Sequence, residues 1–188
     1  MKTWPFLLLG LILFAVGVAA WRPIPVGVWH DDGVYMMVGK ALSEGHGLVY
    51  SGVVGTPPAA KFPPLYPMVL ALLWALSDSI GVVTMAATFL NLAFLAGAGA
   101  LFGIALARSS GLGRRESVAV AAIAFASSDV LRPALIPLSE SLFLLLTAAA
   151  LACWPGVEDG DRRSLGLTGA LLLGGVATRT AGLALVLA

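Results

Sequence analysis

The sequence predicts an all-α integral membrane protein with about five transmembrane helices, plus two juxtamembrane helices in the first external loop. Three observations carry that prediction. Of the 188 residues, 59% are hydrophobic and only 11% are charged, whereas a soluble surface takes about 25% charged residues to stay solvated. The stretches 85–107 and 142–157 contain no charge at all, and runs of about 18 apolar residues cross a hydrocarbon core ~30 Å thick. The charges that remain fall into groups consistent with loops on alternating sides of a bilayer. A net charge of +1 gives no reason to expect nucleic acid as a partner. The single cysteine, Cys153, precludes an intrachain disulfide and reads as a small buried apolar residue.

Residues 4–20 follow Lys2 and are almost purely apolar, which predicts the first span. Val18-Ala19-Ala20 also resembles a small-residue cleavage site, so a removed signal peptide is the alternative. Either reading places 21–79 outside the cytoplasm. Pro23 and Pro25 open that loop and forbid continued helix. Val34, Tyr35, Val38, Ala41 and Leu42 then recur at helical spacing. Asp31 and Asp32 stand ahead of them as N-cap candidates, and Gly45 and Gly47 follow, so a helix is predicted over 33–44.

A Gly/Pro-rich connector leads to a second apolar stretch, 65–76, which as a helix measures about 18 Å and is too short to span. Parity agrees. Arg108, Arg114 and Arg115 follow the long run 80–107, and they fall inside only if 65–76 does not cross. That stretch is therefore expected at the outer membrane surface. Further spans are predicted over 117–131, ending near Pro133, over 139–154, and over 165–187. In the loop before the last of these, Arg162 and Arg163 are offset by Glu158, Asp159 and Asp161. The chain stops within the apolar AGLALVLA, so a fragment of a longer protein is expected.

This threading gathers His30, Asp31, Asp32, Lys61, Asp78, Asp129, Arg132 and Glu140 at the outer face, with Arg179 in the outer half of the last span. A charge at a helix centre costs about 2.5–3.5 kcal/mol, so charges near a bilayer usually face a cavity and mark a site. For Arg179 the structural alternative is snorkelling to the interface. For the aspartate doublet it is an N-cap followed by a first-turn acid. Adjacent helical residues do not project together, so at most one of the two faces a reaction centre. Lys61 is either a solvated loop lysine or a cation suited to a lipid phosphate. Tyr35, Tyr66 and Trp74 fit interface aromatics, the more natural reading for Trp74. His46 reads as loop surface, and no residues have metal-ligand spacing.

Four short motifs occur in order: HDDGVYMMVGKALSEGHGLVY, KFPPLYPMVLALLW, PLSESLFLLL and GGVATRTAGLALVLA. Together they resemble the N-terminal half of polyprenyl-phosphate-sugar-dependent glycosyltransferases of the GT-C fold. The nearest resemblance is to glycosyltransferase family 39, the protein-mannosyltransferase and aminoarabinose-transferase-like proteins. It implies two juxtamembrane helices in the first external loop and a catalytic carboxylate at the Asp31-Asp32 pair. It favours Asp31 as the general base that deprotonates an acceptor hydroxyl, with inversion at the sugar. It places Lys61, and with it Arg179, at the donor phosphate, while His30, Tyr35, Tyr66, Arg132 and Glu140 become candidate site-lining residues.

The donor implied is a polyprenyl-phosphate-linked sugar. The acceptor is a glycan, lipid or protein, at the non-cytoplasmic face of a plasma membrane, with no metal assigned. Val34 stands where aminoarabinose-transferring members carry an arginine, which disfavours that substrate. A transporter and a non-catalytic membrane subunit are the competing classes. Transport needs polar groups through the bilayer depth, and 85–107 offers only Thr88 and Asn91.

Overall fold

The computed structural model describes residues 2–187, and all regular structure among them is helical. Nine helices follow in order: α1 (Trp4–Ala20), α2 (Asp31–Ser43), α3 (Leu65–Trp74), α4 (Ile80–Ser109), α5 (Arg114–Phe125), α6 (Ser128–Ala134), α7 (Glu140–Glu158), α8 (Arg162–Thr178) and α9 (Gly182–Leu187). With 30 residues, α4 is about 45 Å long. It and the 19-residue α7 are each long and apolar enough to cross a membrane. A third crossing is made if α5 and α6, bent by 65° at their junction, form one broken span. α1 and α8 have 17 residues each, about 25 Å of helix.

Two clusters of buried side chains organise these helices. In the first, Leu9 and Leu13 of α1 meet Leu92, Leu95 and Ala98 of α4, Ala121 and Phe125 of α5, and Ala148 of α7. The α1–α4 contact is close because glycines line it. A Cβ on Gly10 would stand 2.9 Å from the Ala96 carbonyl oxygen, and one on Gly103 would stand 2.8 Å from the Phe6 ring. The second cluster sits at one end of α4 and α7. There Tyr35 and Met36 of α2 pack with Tyr66, Leu70 and Trp74 of α3, with Val83 and Ala87 of α4, and with Ile136, Leu138 and Leu142. α2 and α3 thus form a pair laid across that end, and Arg108, Arg114 and Arg115 lie at the other end of α4.

The helices predicted over 33–44 and 65–76 occur as Asp31–Ser43 and Leu65–Trp74. Trp74 departs from the interface reading: it is buried, and its Nε1 donates to the Met36 carbonyl at 3.1 Å, joining α3 to α2.

Two predicted spans are not continuous helices. The segment 117–131 breaks after Phe125 because Ser127 takes an extended conformation and starts a new helix at Ser128-Asp129. The segment 165–187 breaks at Thr178 because Arg179 is extended. Gly182 then sits directly on the Gly175–Val176 backbone, where an added Cβ would come within 2.5 Å. Arg179 is consequently not within a helix but at the corner between α8 and α9.

Candidate functional site

The corner at Arg179 faces the α2–α3 end of the bundle, where a polar cleft of about 110 Å³ opens. Its walls come from four separated parts of the chain: Asp31 and Tyr35 of α2, Lys61-Phe62-Pro63 ahead of α3, Leu138 and Glu140 at the start of α7, and Arg179-Thr180 after α8. Two carboxylates and two cations therefore share one small space.

The aspartates diverge for a local reason. His30 has φ 65° and ψ −61°, and the Asp31 N–H donates to the Trp29 carbonyl at 2.7 Å, a γ-turn of the rare, strained hand. Gly27, at φ 94°, supplies the other tight bend of this loop. Asp32 is buried and accepts from the Gly27 N–H at 2.8 Å and the Trp29 N–H at 3.2 Å, so its carboxylate is spent on closing the loop. Asp31 has no such bond among the described residues and faces the cleft.

Glu140 Oε1 pairs with Arg179 Nη1 at 2.5 Å, while Glu140 Oε2 is enclosed without a hydrogen-bond partner among the described residues. Lys61 is exposed and makes no ion pair among them; its Nζ lies 5.2 Å from the centroid of the Phe62 ring. Tyr35 Oη and Ser139 Oγ are 3.0 Å apart. Burial pushes the Tyr35 phenol above its ordinary value, against the opposing pull of the Ser139 bond, so the hydroxyl remains protonated at neutral pH.

Behind the cleft, Asn91 of α4 is fully buried, and its Nδ2 donates to the carbonyls of Ile136 at 2.7 Å and Leu138 at 3.0 Å. Tyr66 Oη donates to Asn91 Oδ1 at 3.3 Å, which leaves every polar group of the amide paired. This node fixes the 136–138 turn and with it the position of Glu140.

Of the residues singled out from the sequence, Asp31, Tyr35, Lys61, Glu140 and Arg179 line the cleft together. Four do not. Tyr66 is 1% exposed and bonded to Asn91, so it supports the cleft wall from behind. The His30 side chain is exposed on the outside of the γ-turn, and Arg132 is exposed on α6. Asp32 belongs to the loop rather than the cleft. Sequence reading missed Ser139, Leu138 and Thr180. The signal for the supporting node was Asn91, a buried amide in an otherwise apolar helix. Among the described residues, no group of three or more His, Cys, Asp or Glu side chains could hold a metal ion.

Beyond the Glu140–Arg179 pair lies a second, largely apolar groove of about 240 Å³, lined by Val130, Pro133, Phe143 and Leu144. The same ion pair forms part of both walls. Comparison with family models, curated proteins and solved structures finds no match.

Proposed function

We propose that this chain carries the catalytic centre of a membrane glycosyltransferase of the GT-C kind, resembling glycosyltransferase family 39. It moves a sugar from a polyprenyl-phosphate donor to an acceptor hydroxyl at the non-cytoplasmic face of the plasma membrane. The observation that carries this reading is the meeting of Asp31, Lys61 and Arg179 in one cleft from three distant parts of the chain. The adjoining apolar groove supports it, because an isoprenoid phosphate needs a polar seat beside an apolar channel.

In this reading Asp31 accepts the proton of the acceptor hydroxyl as its oxygen bonds to the anomeric carbon. The bond from that carbon to the phosphate oxygen breaks, and the phosphate leaves with the electron pair and the inverted product forms. Lys61 and Arg179 offset the charge growing on the phosphate. Arg179 is partly neutralised by Glu140, so Lys61 supplies the larger share. The matching topology has five crossings, made by α1, α4, the bent α5–α6 pair, α7 and α8. α2 and α3 then lie at the outer surface, and the Arg108–Arg115 loop lies inside.

The test is transfer from a radiolabelled polyprenyl-phosphate sugar by membranes carrying the protein. Asp31→Asn keeps the shape but cannot take the proton, so the rate is expected to fall by about 10²–10⁴-fold. Lys61→Ala is expected to weaken donor retention. Full activity of folded Asp31→Asn removes Asp31 from the mechanism.

A further inference from the structure

Apart from the polar cleft lies a groove of about 370 Å³ that shares no lining residue with it. The groove runs between the segment leaving α1 (Trp21, Ile24, Val26), the first turns of α4 (Gly81, Met85) and Ile136. Its volume is in the range of ligand sites, about 300–1,000 Å³. The polar lining residues are Asp32, Thr84 and Thr88. Asp32 is committed to the Gly27 and Trp29 amides, Thr88 Oγ1 donates to the Thr84 carbonyl at 2.9 Å, and Thr84 Oγ1 is enclosed with no hydrogen-bond partner among the described residues. The rest of the lining is apolar and suits an apolar chain.

Two features say what covers it. First, the wall runs without interruption into exposed apolar surface: Ile24, Ile80 and Met85 line the groove and are also 37%, 55% and 43% exposed. These lie at the end of α1 and the start of α4, the level at which an apolar helix meets the membrane boundary. Second, a cation adjoins the lining residues. Arg22, between the lining residues Trp21 and Pro23, is exposed and makes no ion pair among the described residues. Its Nη1 is tied to the carbonyls of Ala19 at 3.1 Å and of the lining residue Trp21 at 2.7 Å, which fixes the guanidinium at the end of α1 with further N–H groups to give. Trp21 is itself held by Phe89, ring centroids 5.7 Å apart.

We propose that this groove binds one hydrocarbon chain of an anionic bilayer lipid, with the lipid phosphate on Arg22. The site is independent of the transfer chemistry and rests only on the chain being embedded in a membrane. A seated chain packs against Val26 and Ile136, which flank the segments that carry Asp31 and Leu138 to the polar cleft. The lipid is thus placed to brace the cleft from behind.

The test uses the full chain in non-ionic detergent, with native mass spectrometry during titration by phosphatidylglycerol or phosphatidylcholine of identical chains. One phosphatidylglycerol is expected to be retained at least about tenfold more tightly than phosphatidylcholine, consistent with a charge-assisted pair. Arg22→Gln is expected to bring the two lipids level by weakening only the anionic one. Gly81→Leu is expected to weaken both. A Cβ there meets nothing closer than Ser79 Oγ at 3.9 Å, so the new side chain fills the groove without displacing backbone. Met85→Trp, at a partly exposed position, is the second filling variant should the first not fold. Equal retention of the two lipids by the unsubstituted protein overturns the proposal. So does unchanged retention in the folded filling variants.

Discussion

The two adjacent aspartates show how much one backbone dihedral decides. Had His30 continued a regular helical entry, Asp31 and Asp32 would both be plausible caps. Its γ-turn instead turns Asp32 back onto the Gly27 and Trp29 amides and leaves Asp31 to the cleft. The consequence is a separation of stability from activity. Asp32→Ala removes two hydrogen bonds that a buried carboxylate makes to the Gly27 and Trp29 amides of an otherwise exposed loop, and is expected to destabilise by about 1–3 kcal/mol. Asp31→Asn breaks no side-chain hydrogen bond among the described residues and is expected to stay within about 0.5 kcal/mol of the parent. Thermal unfolding of the two variants in the same detergent checks both. A larger loss in Asp31→Asn than in Asp32→Ala would reverse the roles assigned here.

At the scale of elements, the Asn91–Tyr66 node joins α4, α3 and the 136–138 turn. Burial holds the Tyr66 phenol far above its ordinary 10.0, against the opposing effect of the Asn91 bond. Below pH 10 the phenol is protonated in both folded and unfolded chains, and it contributes no slope. Above that value the unfolded chain releases the proton while the folded chain keeps it, so stability is lost as pH rises. Unfolding followed from about pH 8 to about pH 11 is expected to show this fall. Tyr66→Phe should reduce it, leaving the part that Tyr35 contributes, at a cost of about 1–3 kcal/mol near neutrality for the orphaned Asn91 oxygen. An unchanged alkaline slope in that variant would place the titrating group elsewhere. Tyr66 also marks a limit of sequence reading: next to a motif of prolines and aromatics it looks like a site residue, and only its partner 25 positions later makes it a core residue. The breaks in the predicted spans differ in the same respect. Ser127-Ser128-Asp129 is a helix-start pattern visible in the sequence, although Ser127 Oγ donates back to the Ala124 carbonyl and caps nothing, whereas the corner at Arg179 depends on Gly182 lying on the Gly175 backbone, a tertiary contact with no local signature.

For the whole molecule, hydropathy and charge were enough to anticipate an all-helical chain with long apolar helices, because those patterns answer to the solvent rather than to partners. Which helices cross is a different matter: α1 and α8 are each about 25 Å long and α3 about 15 Å. The reading with α3 on the surface makes a sided prediction. Val54 lies in the connector between α2 and α3 and is fully exposed, Leu76 follows α3 at 83% exposure, and Arg115 opens α5 at the other end of the bundle. In a Cys153→Ala background, an impermeant maleimide applied to intact cells is expected to label Val54→Cys and Leu76→Cys. Arg115→Cys should react only after the membrane is permeabilised. Labelling of Val54→Cys and Leu76→Cys from opposite sides would make α3 a crossing helix. It would also move the arginine loop outward and, by parity, put Glu140 and Arg179 on the side opposite Asp31 and Lys61, which both precede α3, so the four side chains could not share a cleft. That parity is why the surface placement of α3 and the convergence of the cleft stand or fall together.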